Sequence, residues 1–111
     1  EEAIDLLDQI LEEHKTEPII AQALYKQAQL FELKSQFEKA KANYQAIIDI
    51  YRDGILIDDA YFHLAEIYES QLNLPEKAKA LYEQIIFNHA DSIYFVDARK
   101  RYRLLRGDAI N

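Results

Sequence analysis

Three histidines and the carboxylate pairs Glu12-Glu13 and Asp58-Asp59 are residues of this chain whose types could do chemistry. His14, His63 and His89 would need a His-x3-His step or a converging carboxylate to form a metal site, and neither accompanies them. His14 and His89 share one position of an internal repeat whose middle copy carries Tyr51. A position that accepts either ring is a packing position. Glu12-Glu13 and Asp58-Asp59 are sequence neighbours, so on a helix they point to different sides instead of sharing a proton. They read as solvated faces, with Asp58-Asp59 also complementing a helix N-terminus. There is no Cys, no Gly-rich phosphate loop and no Ser nucleophile motif. The expectation is a protein that is not an enzyme, with no metal and no cofactor.

What must position these residues is a repeat. Ala23, Ala60 and Ala98 step by 37 and then 38 residues, as do Ala3, Ala40 and Ala78. The second set heads Ala40-x3-Tyr44-x2-Ile47 and Ala78-x3-Tyr82-x2-Ile85, with a reduced form, Ala3-x3-Leu7-x2-Ile10. Leu24, Ala28 and Phe31 follow i, i+4, i+7, and so do Tyr61, Ala65 and Tyr68, which is helix periodicity. Six helices follow, at about 3–14, 18–34, 36–51, 55–71, 75–88 and 93–106. Pro18, Ile55 and Ile93 share a repeat position suited to the first helical residue, making Glu17, Gly54 and Ser92 their N-caps. Ser35-x-x-Glu38 has the form of a capping box, Pro75 opens the fifth helix and Gly107 closes the sixth. The short connections make neighbouring helices antiparallel.

Large, small and aromatic residues on one helix, with Ala, Tyr and Ile on the next, resemble the tetratricopeptide repeat (TPR). Leu24, Ala28, Phe31, Ala40, Tyr44 and Ile47 carry the first full copy. Tyr61, Leu64, Ala65, Tyr68, Ala78, Tyr82 and Ile85 carry the second, with one extra residue in the Gln71–Pro75 turn. The period exceeds the usual ~34 residues, because Ile19-Ile20, Leu56-Ile57 and Tyr94-Phe95 add an apolar turn to each copy. The resemblance implies an all-α, right-handed superhelical solenoid of antiparallel helix pairs. Its units are a helix B at 1–15, repeats at 16–52 and 53–90, and a C-terminal capping helix and tail at 91–111. The run His89-Ala90-Asp91-Ser92-Ile93-Tyr94 resembles a junction of bacterial cell-envelope TPR proteins, without its two prolines. That places the expectation in the periplasm or at the outer membrane, with the cytoplasm as the alternative. No apolar run approaches the ~20 residues of a membrane span, so no direct membrane insertion is expected. The chain opens at Glu1 and not Met, which suggests a piece of a longer array.

By that resemblance, a partner peptide or subunit lies along a groove lined by the first helix of each pair. Its expected contacts are Tyr25 and Gln29 in one copy, Phe62, His63 and Glu66 in the next, and Arg101 on the last helix. Tyr25 and Phe62 are equivalent positions outside the Ala-centred seam. They are either apolar anchors for the peptide or packing over the adjacent turn, and sequence leaves both open. The Lys/Asn/Arg clamp of chaperone-binding members is matched only by Arg101, so that clamp is not expected.

The alternative function is a structural cap ending a longer array. Five of the 13 basic residues fall within Arg99–Arg106 of a chain whose net charge is −7. They read either as the polar outer face of a terminal repeat or, as a weaker alternative, as a functional patch that contacts an acidic surface or nucleic acid. An acidic body argues against nucleic acid as the partner. Arg106-Gly107-Asp108 reads as a helix end and not as an adhesion motif. Ile4, Leu7 and Leu11, on a helix without its partner, are expected to leave apolar surface open to self-association.

Overall fold

The computed structural model describes residues 3–5, 8 and 19–107. Every regular element among them is helical. The chain divides into two compact units, Glu1–Ile57 and Asp58–Asn111.

In the first unit, α1 (Ile19–Leu33) and α2 (Phe37–Ile50) form an antiparallel pair, and residues 3–5 and 8 are helical. Ala28, Ala40, Tyr44 and Ile47 are fully buried, because an alanine opposite a large side chain lets the two helices approach. The tight turn between them corrects the expected capping box. Ser35 adopts a left-handed backbone (φ 58°) instead of the extended form an N-cap needs. Its N–H donates to the Glu32 carbonyl at 2.9 Å, and the Gln36 N–H donates to the Phe31 carbonyl at 2.8 Å. These are the two bonds of a Schellman closure, so Ser35 ends α1 instead of starting α2. Gln36 precedes α2 and makes no side-chain cap.

α3 (Ile57–Glu66) belongs to the second unit from its second residue on, and continues as a π-helical turn, Ile67–Gln71. It pairs with α4 (Pro75–Asn88), which packs against α5 (Phe95–Arg106). Phe62, Ala65, Ala78, Tyr82, Ile85 and Ala98 form the core. The extra residue of this copy is not in the Gln71–Pro75 turn. It is taken up earlier, where the Leu72 N–H reaches the Ile67 carbonyl at 3.0 Å and so spans five residues instead of four. Asn73 (φ 53°) then occupies the left-handed position that Ser35 fills in the first copy. Asn is among the residues that tolerate this conformation best after Gly.

The helices after each junction start later than periodicity suggested. The Ile57 N–H bonds to the Gly54 carbonyl at 3.3 Å, and the Phe95 N–H to the Ser92 carbonyl at 3.1 Å. Each makes a single turn before the helix proper, which leaves Ile55 and Ile93 exposed. Gly107 closes α5 in a left-handed conformation (φ 92°), as expected. Ile4 is only 9 % exposed, so it does not belong to an open apolar edge. Leu7, Leu11, His14, Glu17, Pro18 and Asp108 lie outside the described residues.

Candidate binding cleft

Residues four apart on one helix share a face, and those three or four apart on another do the same. On this principle α3 presents Phe62 and Glu66, and α5 presents Asp97, Lys100 and Arg101. Together they line an open cleft of about 260 Å³ in the second unit. Three of the expected contact residues, Phe62, Glu66 and Arg101, are thus brought together.

Phe62 forms the floor, and of the two readings that the sequence left open, packing is the one its burial supports. It is 9 % exposed and stacks on Tyr94 with ring centroids 4.6 Å apart and planes 19° apart. It also meets Tyr82 edge-on at 5.8 Å. Tyr94 arrives from the added turn before α5, so the longer repeat covers a ring that helix periodicity alone left open. Phe62 therefore both packs and lines the cleft.

His63 is not among the residues that line the cleft. Its Nδ1 lies 3.2 Å from Glu66 Oε1 and its Nε2 3.5 Å from the Tyr94 hydroxyl. The Tyr94 hydroxyl donates to Asp59 Oδ1 at 2.7 Å. Ser92 Oγ donates to Asp58 Oδ2 and accepts the Tyr94 N–H at 3.0 Å. Asp58 and Asp59 are therefore not merely solvated. They clasp the turn that delivers Tyr94, a role invisible without knowing which loop lies above them. His89 packs its ring 5.9 Å from that of Tyr61, in keeping with a packing position. No group of His, Cys, Asp or Glu able to hold a metal ion occurs among the described residues.

Arg101, expected as a partner contact on the last helix, is also held within the unit. Its Nε and Nη2 both reach Glu69 Oε1, at 3.1 and 3.0 Å. The same oxygen accepts the Tyr82 hydroxyl at 2.9 Å. Burial, reinforced by the hydrogen bond to Glu69 and its negative charge, pushes the Tyr82 phenol well above the ordinary tyrosine range. Arg101 so fixes α5 against the π-turn and sets one wall of the cleft. Asp97 and Lys100 are the exposed charges of that wall.

Tyr25 and Gln29 lie on α1, in the first unit, and both are half-buried. The Tyr25 ring sits 6.1 Å from that of Tyr44, tilted by 60°. Its face is less covered than that of its counterpart Phe62.

No helix among the described residues is long and apolar enough to cross a membrane. No curated protein matches the chain closely enough to name a relative. The tetratricopeptide repeat model matches residues 22–54 and 59–92, more than half of the chain. Each match takes in one helix pair with its Ala-centred seam and its buried tyrosine, so the chain belongs to the tetratricopeptide repeat family, whose repeats serve as protein–protein interaction scaffolds.

Proposed function

We propose that this chain is a non-catalytic protein-binding module that docks a partner peptide or subunit in the cleft between α3 and α5. The observation that carries this reading is the makeup of the cleft. An aromatic floor, Phe62, is flanked by the exposed carboxylate of Asp97 and the exposed amine of Lys100, with Glu66 and Arg101 held by partners of their own. Apolar area gives a peptide its affinity, and two outward charges of opposite sign fix its direction. Tyr25 and Gln29 are contacts proposed for the first unit by itself, and His63 acts through Glu66. The repeat units are taken as 16–52 and 53–90, flanked by 1–15 and by a capping helix and tail at 91–111. The His89–Tyr94 junction supports placement in the periplasm or at the outer membrane of a bacterium, and cell fractionation tests that placement.

The binding test is a photo-crosslinking amino acid at position 100, on the cleft wall, against the same probe at exposed Ala80 on α4. Position 100 should capture a partner that position 80 does not, and Asp97→Lys should abolish capture while leaving the thermal melt unchanged. Equal capture from both positions, or capture indifferent to Asp97→Lys, would remove the cleft from the binding surface.

A further inference from the structure

The outer face of α5 departs from the repeat in one systematic way. Tyr61, Ala65 and Tyr68 of α3 pack on the core that α4 shares. One repeat later the same register carries Arg99, Arg103 and Arg106, all exposed. A row of α3 that packs against a helix is thus basic on α5. Lys100 continues the basic arc. Two apolar side chains interrupt it, Val96 at 65 % and Leu104 at 50 % exposure. They give the basic arc two apolar points of contact.

The arginines are also arranged. Arg99 lies over the Phe95 ring at 5.4 Å and Arg106 over the Tyr102 ring at 5.2 Å. A guanidinium held over an aromatic ring has less freedom to lose when it meets a carboxylate. We propose that this face of α5 docks an acidic amphipathic helix of a partner protein. Apolar residues of that helix cover Val96 and Leu104, and its flanking carboxylates pair with Arg99 and Arg103. The register favours a helical occupant, because the row is the one that α3 turns to its helix pair. The exposed Val96 and Leu104 favour protein over nucleic acid, whose phosphates would meet only the charges. This surface is separate from the Phe62 cleft and does not depend on it, Lys100 being the residue that borders both.

The test titrates the full chain into a labelled synthetic peptide of roughly four helical turns, with Leu at i, i+4 and i+7 and Glu on either side. Three comparison probes are a scrambled isomer of the same composition, a single-stranded oligothymidine and anionic lipid vesicles. The amphipathic peptide should gain helical circular dichroism on binding and bind at least about tenfold more tightly than its scrambled isomer. Arg99→Gln/Arg103→Gln should weaken binding by about tenfold or more and flatten its salt dependence. Val96→Asp/Leu104→Asp should weaken it comparably without moving the thermal melt. Equal binding of the scrambled peptide, oligothymidine or vesicles would overturn the proposal in favour of charge attraction alone. Wild-type binding by the substituted chains would reduce the face to a solvating end.

Discussion

The two units pose the same packing problem and solve it with opposite chemistry. Gln27 of α1 is 2 % exposed, and its counterpart on α3 is Leu64, fully buried. Asn43 of α2 corresponds to Leu81 of α4. Gln27 Nε2 donates to Asp8 Oδ1 at 2.5 Å and to the Ile4 carbonyl at 3.4 Å, while Asn43 Nδ2 donates to Gln27 Oε1 at 2.6 Å. Asn43 also reaches the Leu24 carbonyl at 3.2 Å. No buried side-chain polar atom lacks a partner among the described residues. A seam between two helices can thus be oily or polar, provided that the polar version is complete. The difference lies in what fails when one piece is removed. An apolar seam loses area, whereas a polar seam strands its remaining members.

The comparison can be broken first at its aromatics. Phe62→Ala should destabilise by about 3 kcal/mol, since it removes a ring from the core. Tyr25→Ala, at the equivalent but more open position, should cost about 1 kcal/mol. Equal losses in chemical denaturation would mean that the Tyr94 stack contributes nothing.

Next is the polar seam itself. Gln27→Leu should cost about 2 kcal/mol, because Asn43 and Asp8 lose their shared partner. Adding Asn43→Leu should recover most of that loss by importing the solution of the second unit. If the double variant is as unstable as the single one, the network has a role beyond satisfying its own members.

Arg101→Ala comes third. The pair with Glu69 is partly open to water, so the loss should be about 1 kcal/mol or less and should shrink as salt is added. The first unit offers a parallel. There Tyr44 donates to Glu32 in the same way. The smallest effect belongs to the turns. Ser35→Gly should stabilise by about 0.5–1 kcal/mol by relieving the left-handed backbone, and Asn73→Gly by less, because Asn already tolerates it.

The sequence carried the helix pairs plainly. Ala28, Ala40, Tyr44 and Ile47, with Ala65, Ala78, Tyr82 and Ile85, obey one spacing rule, and a spacing rule concerns neighbours along a single helix. What it could not carry were meetings between distant residues. Phe62 reads as an outward position until Tyr94 is laid across it. Arg101 reads as a free charge until Glu69, on a turn of altered pitch, is placed beside it. Both depend on how a later helix returns, and no local pattern encodes that. Ser35 failed for another reason. Serine followed by a glutamate three residues on satisfies the rule for starting a helix, but the preceding helix claimed its backbone first. Gln27 and Asn43 occupy core positions as polar residues, and that departure from the alternation was the one legible sign of the polar seam.

The π-turn at Ile67–Gln71 changes what a length difference means in this molecule. Phe62 and Glu66 lie upstream of it, and Asn73 and Pro75 resume the ordinary turn after it. An odd residue is stored where the helix locally widens, so the rows before and after it keep their phase. A repeat built this way can gain or lose a residue at that point while the face of Phe62 and Glu66 stays aimed. Unequal periods of 37 and 38 are then a drift in spelling and not a change of surface.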